Sequence, residues 1–108
     1  MLNQIVLLGR LIKEPELKET ESGKKNCNIT LAIPRSYKNA NGEYETDFIS
    51  CVLWEGIAEN TAEYCKKGDL LSVKGRIQSN EDKLELIAEQ VTFLSTNKEA
   101  LKKHGVDD

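Results

Sequence analysis

The chain has 108 residues, 39% hydrophobic and 31% charged, with 15 Lys and Arg against 18 Asp and Glu for a net charge of −3. That balance excludes an intrinsically disordered chain, and apolar runs no longer than a strand exclude a membrane-spanning helix. No basic segment leading into an apolar stretch with a small-residue cleavage site is present, so one cytoplasmic domain is expected.

Residues 4–12 read as a nearly continuous apolar strand with Gly9 inside it, where a bulge or sharp bend is expected. Residues 13–25 are polar, contain Pro15 and Ser22-Gly23, and read as a loop. Residues 28–37 set Ile29, Leu31 and Ile33 against Asn28, Thr30 and Ala32, the period of a half-buried strand. Pro34 lacks an N–H, so pairing should break there or the strand should lie at an edge. Asn41-Gly42 marks a hairpin tip, and residues 44–54 form the return strand. On that strand Ile49, Cys51 and Leu53 make one apolar face, while Phe48, Ser50, Val52 and Trp54 make the other, whose serine argues for exposure.

Residues 57–67 switch to helical spacing, with Lys66 and Lys67 expected in the last turn and Gly68 as the stop. Residues 70–79 alternate again, with Lys74 and Arg76 on a basic outer face, and residues 84–94 form a last strand after a short turn. Residues 95–108 are polar, with a helical turn or two expected near residues 100–103. The order is three strands, a helix, then two strands. It predicts an all-β fold: a five-stranded OB-fold barrel with one helix between strands 3 and 4, over residues 1–95, and a short tail over residues 96–108.

Enzymatic chemistry is not expected. Cys27, Cys51 and Cys65 are odd in number and none lie at C-x-x-C spacing, so they read as small apolar residues without disulfide or metal role. His104 lies in the polar tail, and no nucleotide-cradling or metal-binding motif occurs, so no catalytic residue, metal or cofactor is expected. The acidic average hides a division, because residues 22–42 hold Lys24, Lys25, Arg35 and Lys38 and no acid. Tyr37 stands beside Arg35 and Lys38, and Phe48 and Trp54 follow on the return strand. Rings among cations suit single-stranded nucleic acid, since unpaired bases stack on rings while phosphates meet Lys and Arg. Phe48 and Trp54 could equally finish a small barrel core; for Tyr37 the hairpin shoulder favours a binding role.

These residues resemble bacterial single-stranded DNA-binding proteins. The match runs through Met1-Leu2-Asn3, Gly9-Arg10-Leu11, Asn28-Ile29-Thr30-Leu31-Ala32, Arg35-Ser36-Tyr37-Lys38-Asn39, Asp47-Phe48-Ile49, Cys51-Val52-Leu53-Trp54, Lys67-Gly68 and Gly75-Arg76-Ile77. It covers about residues 1–94 and is nearest to short, tail-less members. The resemblance implies base stacking by Tyr37, Phe48 and Trp54, and phosphate contacts by Arg10, Arg35, Lys38, Lys67 and Arg76. It also implies a homo-oligomer, a tetramer assembled from dimers or a dimer alone, with first-strand edges paired across the dimer. Its functional expectation is sequence-independent binding and protection of single-stranded DNA in replication, recombination or repair.

Two departures stand out. The family's long basic hairpin after Arg76-Ile77-Gln78, with a further stacking ring, is replaced by residues 79–83 carrying Glu81 and Asp82. The sequence given stops at Val106-Asp107-Asp108, without the linker and apolar tip that recruit partners, so tail-borne recruitment is not expected. The short acidic turn at residues 79–83, with the net charge of −3, supports an alternative reading as a protein-interaction module of a primosome-like accessory complex with weak nucleic-acid binding.

Overall fold

Alternation of apolar and polar residues turns one side of each long strand inward, and the strands curl until those sides meet. The computed structural model describes residues 1–95; the tail at residues 96–108, with the helical turn expected near residues 100–103, lies outside the described residues. The elements are β1 (Ile5–Leu11), β2 (Lys18–Glu19), β3 (Lys25–Lys38), β4 (Tyr44–Trp54), α1 (Glu55–Tyr64), β5 (Leu70–Asn80) and β6 (Lys83–Ser95). Strand neighbours run β1-β5-β6-β4-β3 and close back from β3 to β1, with β2 flanking β3. The β4–β6 pairing is parallel, with Val52 opposite Ile87, and the other pairings are antiparallel. This is the expected five-stranded OB-fold barrel, with β2 as an addition.

The interior is filled from every wall: Leu11 from β1, Ile29 and Leu31 from β3, Cys51 and Leu53 from β4, Leu71 and Val73 from β5, Leu86 and Ala88 from β6. Helix α1 packs on β3, β4 and β6 and buries Ala58 and Thr61. The three thiols lie in this core, and burial pushes Cys51 up to about 11 and Cys65 up to about 12. Among the described residues no helix is long and apolar enough to cross a membrane, and no group of His, Cys, Asp and Glu is arranged to hold a metal.

Two glycines let strands approach more closely than side chains allow. At Gly9, β1 passes from β5 to β3, and a Cβ would lie 2.7 Å from Ile33 Cγ1 and 2.8 Å from the Ala32 carbonyl oxygen. At Gly75, an extra β6 residue, Glu89, bulges the β5–β6 ladder and drives the Ile87 carbonyl into the space a Cβ would take.

The structure departs from the sequence reading in two places. The expected loop at residues 13–25 contains β2, which pairs with Lys25 and Asn26 around a turn where Thr20 accepts from the amides of Gly23 and Lys24. The helix occupies Glu55–Tyr64 instead of residues 57–67. It starts early because Glu55, at φ +51°, turns the chain straight out of β4. It ends early because Cys65 goes extended and buried. Lys66 and Lys67 therefore sit past the helix, in a turn whose Lys66 amide donates to Asp69 Oδ2 at 2.8 Å. That turn is tied to β1 by Gly68 N to Leu11 O at 2.8 Å and Leu11 N to Asp69 O at 3.0 Å.

Candidate nucleic-acid interface

Five of the six aromatic residues stand exposed: Tyr37, Tyr44, Phe48, Trp54 and Tyr64. Phe93 packs on the core and meets the Tyr64 ring at a tilt, with centroids 6.3 Å apart. A soluble β-domain gains most by burying its rings, so this distribution itself points to a surface that meets something flat and apolar.

The outer face of β4 organises the site. Its even positions are Tyr44, Thr46, Phe48, Ser50, Val52 and Trp54, and a strand sends alternate residues to the same side. Phe48 is 65% exposed and Trp54 38%, while Cys51 and Leu53 between them are buried. The two readings left open for these rings thus separate: neither fills the core, although Trp54 is the more enclosed. Between them the Ser50 and Thr30 hydroxyls bond at 3.1 Å and Val52 is half-buried, so the stretch linking the rings is polar next to Phe48 and apolar next to Trp54. The Phe48 side chain also edges a cavity of about 380 Å³ reached by Ile5, Ile77 and Leu86.

Cross-strand register places two cations on either side of this stripe. Arg10 lies opposite Ala32, which lies opposite Phe48, so Arg10 is two strands away, roughly 10 Å. Its Nη1 donates to the Gly68 carbonyl at 2.9 Å, which brings it beside the Lys67 turn. On the other side Arg76 lies opposite Ile87, which pairs with Val52. Arg76 donates to Gln78 Oε1 at 2.6 Å and is 3.6 Å from Glu89.

The β3–β4 hairpin runs beyond the barrel and carries the remaining residues. Asn39 builds its tip, accepting through Oδ1 from the amides of Asn41 at 2.9 Å and Glu43 at 3.0 Å. The register shifts between Pro34 and Lys38, so residues 35–37 stand opposite Glu45 alone. Pairing is therefore disturbed beside Pro34, as its missing N–H requires. Tyr37 lies in this bulge and is 64% exposed. Arg35 is not directed to the ring face. Its Nε and Nη2 grip Asp47 at 3.1 and 2.9 Å, and its Nη1 meets Glu45 at 2.5 Å, on the odd-numbered side of β4. The bidentate pairing holds the Asp47 carboxyl below the usual carboxylate range and raises Arg35 in turn.

The sequence reading passed over two exposed rings, Tyr64, which meets Phe93, and Tyr44. Tyr44 is 59% exposed, stands opposite Lys38, and has the Lys38 Nζ 5.7 Å from its ring centroid. The signal was present in the even spacing of residues 44, 48 and 54. Exposed rings in a row, set among cations, can stack planar groups and neutralise anions along one path.

A family model described as the single-strand binding protein family matches residues 2–94. Single-stranded DNA-binding protein B of Bacillus subtilis is 47% identical over 103 residues, which span 87% of this chain and 91% of that one. Single-stranded DNA-binding protein 1 of Clostridium acetobutylicum is 42% identical over 110 residues, spanning 93% of this chain and 100% of that one. Others are longer, and the chain spans 66% of single-stranded DNA-binding protein 3 of Listeria innocua. Among solved structures, the single-stranded DNA binding protein from Thermus aquaticus superposes with a TM-score of 0.71 at 28% identity, covering 89% of this chain and 42% of that one.

Proposed function

The chain belongs to the single-strand binding protein family, and on that footing we propose that it binds single-stranded DNA without sequence preference and without catalysis. The observation that carries this reading is the pair of exposed rings, Phe48 and Trp54, on the outer face of β4. Bases stack on these rings and on Tyr37, and the phosphates run past Arg10, Lys38, Lys67 and Arg76. Arg35, held by Asp47 and Glu45, braces the hairpin that presents Tyr37. Every base has a π face, so stacking of this kind protects a strand regardless of sequence, as replication, recombination and repair require.

The protein acts as a cytoplasmic homo-oligomer. Support comes from β1, whose Ile5–Arg10 stretch pairs with β5 while only Arg10 and Leu11 pair with β3. The free side of the strand is an edge, and Val6 and Leu8 stand exposed beside it.

Trp54 is the sole tryptophan, so its fluorescence reports directly on the site. Titration with poly(dT) should shift its emission, with saturation. Unchanged emission together with no gel shift at low salt overturns the proposal.

A further inference from the structure

We infer that Tyr44 and Lys38 form an additional nucleotide subsite at the outer end of the β3–β4 hairpin, which lengthens the DNA path beyond Phe48. The inference rests on the reading of the β4 face as a single-stranded DNA site. Three observations carry it. First, Tyr44 falls on the same side of β4 as Phe48 and Trp54, so its ring continues their row instead of facing elsewhere. Second, the ring keeps 59% of its surface exposed and packs against no other ring among the described residues, while the Lys38 ammonium lies 5.7 Å from its centroid. A base stacked on the ring thus finds a cation within reach of its own phosphate.

Third, the charges of this segment are sorted by side. Glu45 and Asp47 alternate with Tyr44, Thr46 and Phe48, so these two acids occupy the other face. There Arg35 binds Glu45 and Asp47. The ring face of the hairpin is therefore left with Lys38 as its charged group, which favours a phosphate chain over an acidic surface. The acidic tip between β5 and β6, Glu81-Asp82, offers no comparable landing place, so a strand leaving Phe48 is directed along the β3–β4 hairpin.

Tyr44 and Phe48 are four residues apart, roughly 13 Å along the strand. At about 3.4 Å per stacked nucleotide this adds at most about four nucleotides to the site.

The test is an oligo(dT) ladder titrated against the parent protein, Tyr44→Ala and Tyr44→Phe, with a melting curve for each. The parent's affinity should rise with length to a plateau. Tyr44→Ala should match the parent on short oligomers and fall about tenfold behind on long ones, reaching its plateau up to about four nucleotides earlier. Tyr44→Phe should restore most of the difference. If the parent binds and Tyr44→Ala follows it at every length, the subsite does not exist. Equal loss at all lengths, or a changed association state with unchanged DNA affinity, also overturns it, because Tyr44 then serves the fold or a contact between copies. A parent that binds no oligomer refutes instead the DNA reading on which the subsite stands.

Discussion

Phe48 and Leu53 are five positions apart on one strand, yet they answer to different forces. Phe48 sits with 65% of its surface in solvent, so Phe48→Ala should weaken poly(dT) binding by about 1–3 kcal/mol and barely move the melting temperature. Leu53 is fully buried, and Leu53→Ala should cost about 2–5 kcal/mol of stability while the surviving folded protein binds normally. Trp54→Ala should show some of both, because its ring is partly enclosed where β4 passes into α1. Fluorescence-free gel shifts paired with thermal melts separate these outcomes. Asp47 answers to charge. Its folded carboxyl lies below its ordinary value of about 4, so its contribution to stability is complete above that value and drains away as pH falls through the lower, folded one. Asp47→Asn should therefore lower the melting temperature modestly at neutral pH, and the difference from the parent should shrink as pH falls from 5 to 2, which flattens the acid side of the profile.

The β5–β6 hairpin shows how an element can be legible while its detail is not. Asn80 pairs with Lys83, so Glu81 and Asp82 alone make the turn, and Glu81 holds φ +58°. A side chain in that left-handed region carries a cost of about 1–2 kcal/mol. Glu81→Gly should therefore raise the melting temperature by a few degrees; no rise, or a fall, would show that the loss of chain entropy in glycine outweighs the relief. The turn was readable from composition, and the succession of the five long strands and the helix along the chain followed from apolar periodicity, because a two-residue period and a helical period leave different traces in residues 44–65. The Arg35 clamp was not readable. It depends on the bulge opposite Glu45, and nothing local to Arg35 announces which carboxylates lie across the hairpin. The ring of Tyr44 was readable in principle, since parity places it with Phe48, but a reading that starts its count at Phe48 stops short of it.

At the scale of the whole molecule, net charge and binding charge part company. The chain carries −3, yet the DNA path proposed above would meet four cations, Arg10, Lys38, Lys67 and Arg76, once Arg35 is left to its carboxylates. Four neutralised phosphates give a slope of about −3 in log affinity against log salt. A poly(dT) titration from low to moderate salt that returns a slope near zero would mean stacking acts without charge, and one far steeper would enlist further cations. The closure of the barrel sets a different clock. Ile5 finds its partner in Gly75, seventy positions later in the chain, and Leu11 finds Leu31 in between. At about 5–20 residues per second a ribosome needs roughly 4–14 s to bring out that distance. The first strand to be synthesised is thus among the last to be paired, and during those seconds its apolar residues stand open to neighbouring nascent chains. How quickly the polysome carries the message to Gly75 becomes a determinant of how much protein folds cleanly.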